Sequence, residues 1–356
     1  MLGYILRRLL LIIPTLFGIL LINFAITQAA PGGPVEQAIA KAQGLDTSGN
    51  RIGGSKQGEI SSQNKGNESP YRGAQGLDPQ LIKDLEKQYG FDKPASERFR
   101  LMIVNYLQFD FGQSFYRDAS VISLIKEKMP VSISLGLWST LIIYLISIPL
   151  GIKKAIRHGS QFDITTSSLI IIGYAIPGFL FAILLIILFA GGSYWQIFPM
   201  QGLVSENFEQ RTIVVKILDY GHYMVLPTIC LSIGGFATLT MLTKNSFLDE
   251  IHKQYVVTAR AKGLNDSQVL YGHVFRNAML IIISGLPSLL LGLFLVEVIF
   301  NLDGLGLLSF ESVINRDYPV IFGTLYIFTL VGLVLRIISD VTYMLIDPRI
   351  DFNSRG

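Results

Sequence analysis

Six long apolar stretches constrain the fold of this chain more than any other feature of its sequence. They cover residues 9–30, 131–151, 164–190, 223–243, 278–300 and 320–345. A helix needs about 20 consecutive apolar residues to cross the ~30 Å hydrocarbon core of a bilayer. Because each stretch reaches that length, the sequence predicts an all-α polytopic membrane protein with six transmembrane helices.

The first stretch also has some features of a cleaved secretory signal. Arg7 and Arg8 precede it, and a pair of alanines ends it. However, its apolar run is longer than the ~7–15 residues of a signal sequence, and Pro31 stands where a mature chain would begin. We therefore expect residues 1–30 to be an N-terminus followed by a retained first helix.

Composition excludes several classes of site. Charged residues make up only 15% of the chain, against about 25% in soluble domains. The single cysteine, Cys230, excludes an intramolecular disulfide and a cysteine-based zinc site. The sequence holds no G-x-x-x-x-G-K-[ST] motif, and its net charge of +3 gives no case for a nucleic-acid partner. We expect no catalytic residue, no metal site and no bound cofactor in this chain.

The charges between the stretches predict the orientation of the chain in the membrane. Twelve Lys and Arg, against six Asp and Glu, occur in four pieces: 1–8, 152–163, 244–277 and 346–356. The alternate short loops, 191–222 and 301–319, hold three basic and six acidic residues. Since cytoplasmic loops carry an excess of Lys and Arg, we expect both termini to face the cytoplasm.

The segment 31–130 separates the first two stretches and is predicted to lie outside the cell membrane. Residues 41–76 are rich in Gly, Ser, Asn and Gln, a composition that predicts a flexible loop. Residues 77–129 are predicted to form a small helical subdomain. It includes a helix at 95–108, with apolar residues four apart at Phe99, Ile103 and Leu107. The alternative for this part is a loosely ordered linker.

The loop 244–277, between the fourth and fifth stretches, is predicted to form two helices joined by a sharp turn. Apolar side chains recur every four residues in its first half, at Phe247, Ile251, Tyr255 and Ala259. Gly263 can end this helix in the left-handed conformation. Asp266 can cap a second helix with Leu270 and Val274 on its apolar side. Such a hairpin can dock in a groove of a cytoplasmic partner or rest on anionic lipid, and the residues alone leave both interpretations open.

The sequence of this loop resembles a motif of a known family. Residues 255–263 read Tyr-Val-Val-Thr-Ala-Arg-Ala-Lys-Gly and resemble the EAA loop of ABC importer permeases, in the form that peptide permeases use. In that family the loop forms the coupling helix that docks into the ATPase subunit. The resemblance implies a docking site at Tyr255, Val256, Thr258, Ala259, Arg260, Ala261, Lys262, Gly263 and Leu264. The E-A-A positions fall on residues 257–259, so the acidic residue and the first alanine of the motif are replaced here.

Six further motifs occur in the order in which peptide permeases have them. Five are Arg-Arg-Leu-Leu at 7–10, Pro-Gly-Gly-Pro at 31–34, Phe-Asp-Phe-Gly-Gln-Ser at 109–114, Arg-Asp-Tyr-Pro-Val at 316–320 and Asp-Pro-Arg-Ile at 347–350. The sixth, at the predicted periplasmic end of the fifth stretch, consists of Glu297, Phe300, Gly304 and Gly306. Together with the loop motif they extend the resemblance over nearly the whole chain.

The resemblance implies the type I architecture of an ABC importer permease in the bacterial inner membrane. Residues 31–130 would be a partly helical periplasmic insertion and 131–356 a five-helix permease core. The implied function is import of peptides, driven by ATP hydrolysis in partner subunits. Those subunits, and not this chain, would bind ATP and Mg²⁺. The implied partners are a cytoplasmic ABC ATPase, a second homologous permease subunit, a periplasmic peptide-binding protein and the lipid bilayer. The outer segment is similar to that of the microcin C and oligopeptide (Yej-type) permeases.

Three charged residues fall within the stretches, and more than one role is open to them. Arg336 and Asp340 are four residues apart and can form an intramembrane charge pair. Glu297 can bind the amino terminus of a peptide or cap the turn that carries Gly304 and Gly306. Two other functions remain as alternatives: an ion-coupled secondary transporter, which needs charged or unwound sites near mid-membrane, and a non-transporting membrane scaffold.

Overall fold

The computed structural model describes residues 2–29, 92–191, 194–284 and 293–346. Within those ranges the regular elements are helices, and an isolated β-bridge joins Gln113 to Ser120. The α-helices are α1 (Leu2–Ala29), α2 (Ala95–Leu107), α3 (Val121–Ile156), α4 (Gln161–Ala175), α5 (Gly178–Phe189), α6 (Ile213–Ile251), α7 (Gln254–Ala261), α8 (Asp266–Val269), α9 (Phe275–Ser284), α10 (Leu293–Ile299), α11 (Leu305–Ile314) and α12 (Tyr318–Ile346). A 3₁₀ turn covers Phe208–Gln210, and a π-turn, Leu270–Val274, joins α8 to α9. The helical class predicted from the sequence is confirmed.

Four of these helices are long and apolar enough to cross a membrane, namely α1, α3, α6 and α12. They coincide with the first, second, fourth and sixth predicted stretches. The third stretch corresponds to α4 and α5, which together make a fifth candidate span that is bent by 93°. The fifth stretch, 278–300, includes residues 285–292, which lie outside the described ranges. A sixth membrane-spanning helix therefore stays a prediction.

Proline explains the break between α4 and α5. Pro177 has no N–H to donate, and its ring restricts the preceding residue to extended conformations. Ile176 accordingly has φ −80° and ψ 119°, outside the helical region. The third stretch is therefore built from two helices of 15 and 12 residues, each shorter than the ~20 residues that a bilayer requires.

The chain divides into two compact units. The first comprises residues 1–9, 128–308 and 331–356, and the second comprises residues 10–127 and 309–330. The predicted coupling loop, the fifth predicted stretch and the paired helices α4 and α5 all belong to the first unit.

Small residues bring α3 and α6 together in the first unit. The hydroxyl of Ser147 donates a hydrogen bond of 3.2 Å to the carbonyl of Phe236. One turn later, a Cβ on Gly151 would lie 2.5 Å from the Cβ of Thr243, so this approach requires glycine. Helices in lipid associate through such close contacts, because water does not drive their apolar surfaces together.

In the second unit, two of the sequence motifs meet. Asp317 is buried, and its carboxylate accepts hydrogen bonds from the hydroxyl of Ser114 and, at 3.1 Å, from the N–H of Phe115. Ser114 ends the motif at 109–114, and Asp317 belongs to the motif at 316–320. These two motifs therefore have a structural role, which is to bind each other.

Helix α2 lies where the sequence predicts a helix at 95–108, and that prediction is confirmed. Its buried Tyr106 packs edge-to-face on Tyr326, with 5.4 Å between the ring centroids. Residues 30–91 lie outside the described ranges. The flexible loop at 41–76 and the start of the subdomain at 77–129 therefore stay predictions.

Candidate functional site

The loop 244–277 contains helices on both sides of a turn, as predicted, but its first half is not one continuous helix. Helix α6 ends at Ile251, and the short helix α7 begins at Gln254. Between them, Lys253 has an extended backbone with φ −75° and ψ 151°. The predicted apolar face is confirmed, because Phe247, Ile251, Tyr255 and Ala259 pack in one core. The prediction of a single helix is wrong, because a four-residue recurrence cannot reveal a bend between two helices.

Gly263 and Asn265 shape the turn that follows α7. Gly263 has φ +85°, a left-handed conformation that glycine adopts without steric cost, so its predicted role is confirmed. The predicted cap at Asp266 is wrong by one residue. The Asn265 side chain accepts from the N–H of Gln268 at 2.8 Å, and the Gln268 side chain accepts from the N–H of Asn265 at 3.1 Å. This reciprocal capping box satisfies two backbone donors at the start of α8.

One side of α7 packs into the interior of the first unit. Val256 is fully buried and Ala259 is only 7% exposed, and both join a core that includes Phe247, Val269 and Val274. The resemblance implies docking roles for Val256 and Ala259, but the structure places both in this core. A residue list taken from a motif cannot distinguish the two sides of a helix.

The opposite side of α7 is exposed, and we call it the docking face. It consists of Val257, Thr258, Arg260, Ala261 and Lys262, followed by the exposed Gly263. Val257, which the predicted docking set omits, exposes 56% of its surface. Tyr255 and Leu264 are half-buried at the edges of this face. Small and basic residues therefore lie together on an exposed helix surface that a partner can approach closely.

A hydrogen-bonded cluster holds the start of α7 in place. The carboxylate of Glu250 accepts from the hydroxyl of Tyr255 at 2.7 Å and forms an ion pair with Lys253. The amide of Asn277, beyond the turn, donates to the same hydroxyl at 3.3 Å. Burial and the bond to Glu250 raise the pKa of Tyr255 to about 12, so the hydroxyl keeps its proton at neutral pH. The cluster therefore ties α7 to the end of α6 and to α9.

A second cluster, which the sequence interpretation missed, lies where α3, α4 and α6 meet. Lys154 is fully buried, Lys244 is 8% exposed, and both form ion pairs with Asp163, at 3.1 and 2.8 Å. Lys154 also donates to the hydroxyls of Thr166 at 2.7 Å and Ser167 at 2.8 Å. The consecutive helices α3 and α4 are thus joined to α6 through one carboxylate.

Charge counting hides this cluster, because it treats Lys154 and Lys244 as exposed residues of cytoplasmic loops. A local signal did exist in the sequence. Ser160 precedes Asp163 by three residues at the start of an apolar stretch, and its hydroxyl accepts from the N–H of Asp163 at 3.3 Å as an N-cap. An acidic residue in a first turn is stabilised by the helix dipole, so the sequence predicts a helix start at Asp163 but does not identify its lysine partners.

Glu297 caps the start of α11, the second of the two roles that the sequence leaves open. Its carboxylate is fully buried and accepts from the N–H of Gly306 at 2.6 Å and of Leu307 at 3.3 Å. It also accepts from the hydroxyl of Ser132 on α3 at 2.6 Å. A Cβ on Gly304 would collide with this carboxylate. The motif residues therefore form a structural turn, and the nearby Phe300 is buried.

The predicted ion pair within α12 is wrong. Asp340 instead pairs with Arg8 of α1, at 2.6 Å, while Arg336 is exposed on α12. A spacing of four residues places two side chains on one face of a helix, but it carries no information about cations on neighbouring helices. The pair joins the first described helix to the last.

Among the described residues, no group of three or more His, Cys, Asp or Glu is arranged to hold a metal ion. The docking face likewise has no nucleophile paired with a base. What this surface offers is shape and charge, which suit the binding of another protein.

Comparison with known proteins gives the family and its extent. Residues 147–352 match the family model described as "Binding-protein-dependent transport system inner membrane component". The chain is 59% identical to the peptidoglycan transport system permease protein YejB of Agrobacterium fabrum, over 99% of each chain. It is 57% identical to the inner membrane ABC transporter permease protein YejB of Escherichia coli O157:H7, over 99% of this chain and 100% of that one.

A more distant relative is the oligopeptide transport system permease protein AppB of Bacillus subtilis. It is 33% identical to this chain, over 99% of this chain and 100% of the relative. The similarity extends over both units, including the loop 244–277 and the turn at Glu297.

Proposed function

Because the chain belongs to the family of binding-protein-dependent transport system inner membrane components, we propose that it is the membrane-spanning permease subunit of an ATP-driven importer of peptides. The observation that carries this proposal is the identity of 59% to a transport permease over nearly the whole length. The chain is a multi-pass inner-membrane protein whose role is transport. Its family implies an ATPase and a substrate-binding protein as partners.

The docking face of α7 supplies the mechanical step in this proposal. The ATPase binds Val257, Thr258 and Ala261, and the cations of Arg260 and Lys262 lie beside them. Because Glu250, Tyr255 and Asn277 tie α7 to α6 and α9, a displacement of α7 moves both helices. Such a displacement drives transport only if the ATPase and the peptide each bind the outward-open and inward-open states with different affinity.

The finer architecture forms part of the same proposal. Six transmembrane helices in a type I arrangement, with a periplasmic insertion at 31–130, place both termini in the cytoplasm. A second homologous permease subunit completes the path, and a periplasmic peptide-binding protein delivers the cargo. ATP and Mg²⁺ are bound by the ATPase subunits, and this chain binds no cofactor.

The cargo class follows from the relatives. One is named for peptidoglycan transport and another for oligopeptide transport. Short peptides, including those released from peptidoglycan, are a cargo class that fits both names. Uptake of radiolabelled tripeptides and of peptidoglycan-derived peptides, in cells with and without this chain, separates these cargoes.

Docking is tested by placing a bulky side chain on the docking face. Ala261→Trp should abolish copurification of the ATPase, or peptide-stimulated ATP hydrolysis, while membrane insertion is unchanged. The matched control is Ala95→Trp, since Ala95 is exposed on α2 and belongs to the second unit, whereas the loop belongs to the first. Normal ATPase binding and normal uptake in Ala261→Trp would contradict the docking assignment.

Ala259→Trp is a separate probe, because Ala259 is buried. It should reduce the amount of folded permease as well as ATPase binding. Orientation is tested by a reporter fused after Ser61, which should be active only if it lies outside the cytoplasm.

A further inference from the structure

The Asp163 cluster holds more buried positive charge than negative charge. In the described part of the chain, the buried Lys154 and Lys244 share one carboxylate, whose residue is only 3% exposed. His158 also lies 3.3 Å from this carboxylate, but more than half of its side chain is exposed. Burying a charge is costly, and one lysine is enough to neutralise Asp163. Neutralisation of the carboxylate therefore does not account for the second lysine.

The two lysines differ in what binds them. Lys154 donates to three further oxygens of α4, namely the carbonyl of Asp163 at 3.0 Å and the hydroxyls of Thr166 at 2.7 Å and Ser167 at 2.8 Å. For Lys244, the described residues supply the Asp163 carboxylate as the partner, at 2.8 Å from each oxygen. Lys154 can thus stay bound to α4 without the carboxylate, whereas the attachment of Lys244 depends on it.

Helices α4 and α6 are separated by a gap beside this ion pair. An open crevice of about 200 Å³ lies between them, lined on α4 by Ile170 and Tyr174 and on α6 by Thr238 and Met241. The crevice begins one turn of α6 away from Lys244. By contrast, α3 approaches α6 so closely that the contact requires glycine. At this end, α6 therefore acts on α3 by direct packing and on α4 through the ion pair.

On α6, Lys244 is followed by the residues that hold α7. Phe247 lies one turn later on the same side of α6, and it is fully buried in a core that includes Val256 of α7. Glu250 then binds the hydroxyl of Tyr255. Helix α6 is continuous through all three of its residues, so a displacement of α7 that moves this end of α6 also moves Lys244.

We propose that Asp163 and Lys244 are positioning residues that pass a displacement of α7 from α6 to α4, and that Lys154 holds Asp163 in place to receive it. Salt screens buried charges only weakly, so the pair keeps the two helices together while they move. Helix α4 is the first half of the third predicted span, which then moves with the loop 244–277. The proposal rests on the ATP-driven import function above and adds the residues that couple its two ends.

Lys244→Met distinguishes this link from a purely structural pair. The substitution removes the charge but keeps an unbranched side chain, and Asp163 retains Lys154 as its counter-charge. The variant should therefore fold, bind the ATPase and hydrolyse ATP. Its uptake of trialanine per ATP hydrolysed should fall about fivefold or more, the lower end of typical coupling between two sites. Lys244→Arg keeps the cation and should retain most of the uptake per ATP.

Two further variants serve as comparisons. Lys154→Met leaves the pair between Asp163 and Lys244 in place, so it should lower the thermal unfolding temperature but preserve the uptake per ATP of the assembled transporter. Lys216→Met is the matched control, because it removes an ion pair with Glu209 at the other end of α6. It should preserve the uptake per ATP as well.

Three results would overturn the link. The first is a normal uptake per ATP in Lys244→Met. The second is an equal loss in Lys154→Met, which would make the cluster one structural unit. The third is a Lys244→Met chain that does not assemble with the ATPase, which would mean that the pair holds the fold and does not transmit movement.

A readout that needs no cargo separates this link from the import function. In a Cys230→Ala parent, which lacks the single cysteine, Thr165→Cys is placed at an exposed position of α4. ATP should change the rate at which a thiol reagent labels it, and Lys244→Met should abolish that change. An ATP response that persists in Lys244→Met would overturn the link whatever the cargo. A parent that shows the response but does not import trialanine would overturn peptide import and leave the link standing.

Discussion

Glu297 and Asp163 are both buried carboxylates of the first unit, but different kinds of partner satisfy them. Glu297 accepts from the N–H groups of Gly306 and Leu307, which follow it by nine and ten residues, and from one hydroxyl. Asp163 is bound by two lysine cations, from α3 and α6. Both carboxylates join three helices, but Glu297 does so through neutral donors on α3 and α11, whereas Asp163 does so through buried cations on α3 and α6.

The two kinds of partner differ in how far the geometry around each carboxylate can change when helices move. A carboxylate bonded to the backbone of a nearby helix end holds one geometry. Ion pairs between helices can lengthen or exchange as the helices move. Lys244 lies six residues before Glu250, which holds the start of α7. Through Lys244 the Asp163 cluster adjoins the loop 244–277, which moves in the proposed mechanism. The Glu297 turn belongs to the predicted outer end of the fifth stretch.

The largest expected effect comes from neutralising Asp163. Asp163→Asn leaves Lys154 and Lys244 buried without a counter-charge, which should lower the free energy of unfolding by about 3–5 kcal/mol. Thermal unfolding in detergent measures the loss. Adding Lys244→Met should restore part of it, since one unpaired cation is then removed. A single variant as stable as the wild type would mean that the lysines are solvated.

Glu297→Gln should have a smaller effect. Hydrogen bonds to a charged group contribute about 1.5–3 kcal/mol, so we expect a loss of about 2–3 kcal/mol. Glu206→Gln, at an exposed position of the loop 191–222, is the matched control and should change little. If Glu297→Gln proved as harmful as Asp163→Asn, the distinction between a carboxylate bound by neutral donors and one bound by buried cations would fail.

Gly304→Ala tests the same turn from its other side. The added Cβ would collide with the Glu297 carboxylate, and overpacking of this kind costs about 1–3 kcal/mol. Gly221→Ala is the control, because a Cβ there meets no atom within 4 Å. Resistance of the two variants to proteolysis in membranes compares them directly. Equal resistance would show that the turn can move aside.

The smallest effect is expected at the loop itself. Tyr255→Phe removes the hydrogen bonds of one hydroxyl with Glu250 and Asn277, which should cost about 1 kcal/mol. The stronger readout is functional: basal ATP hydrolysis should persist while uptake per ATP falls. Tyr271→Phe is the control, at a tyrosine that is 63% exposed. Unchanged uptake per ATP would show that the cluster does not position α7.

The sequence predicts the elements that repeat a simple pattern. Four apolar stretches coincide with single helices because length and hydropathy determine a span. Gly263 is predictable as well, since the left-handed conformation strongly favours glycine. The break at Pro177 is harder to predict, because membrane helices often contain proline without bending so far: Pro227 lies inside the continuous helix α6.

The sequence does not show which residues of different helices contact each other. The partner of Asp340 lies on α1, and those of Asp163 lie on α3 and α6. Their identity depends on how helices pack, which no local spacing encodes. The buried side of α7 is different, because the recurrence of Tyr255 and Ala259 predicts it from the sequence. Val269 and Val274 cover this side in the structure.

The ion pair between Arg8 and Asp340 has a consequence for how the protein is made. Because more than three hundred residues separate Arg8 from Asp340, the arginine is synthesised well before this carboxylate. The contact between α1 and α12 can therefore form only after the last described helix has been made. A chain truncated before Asp340 would leave α1 without this contact.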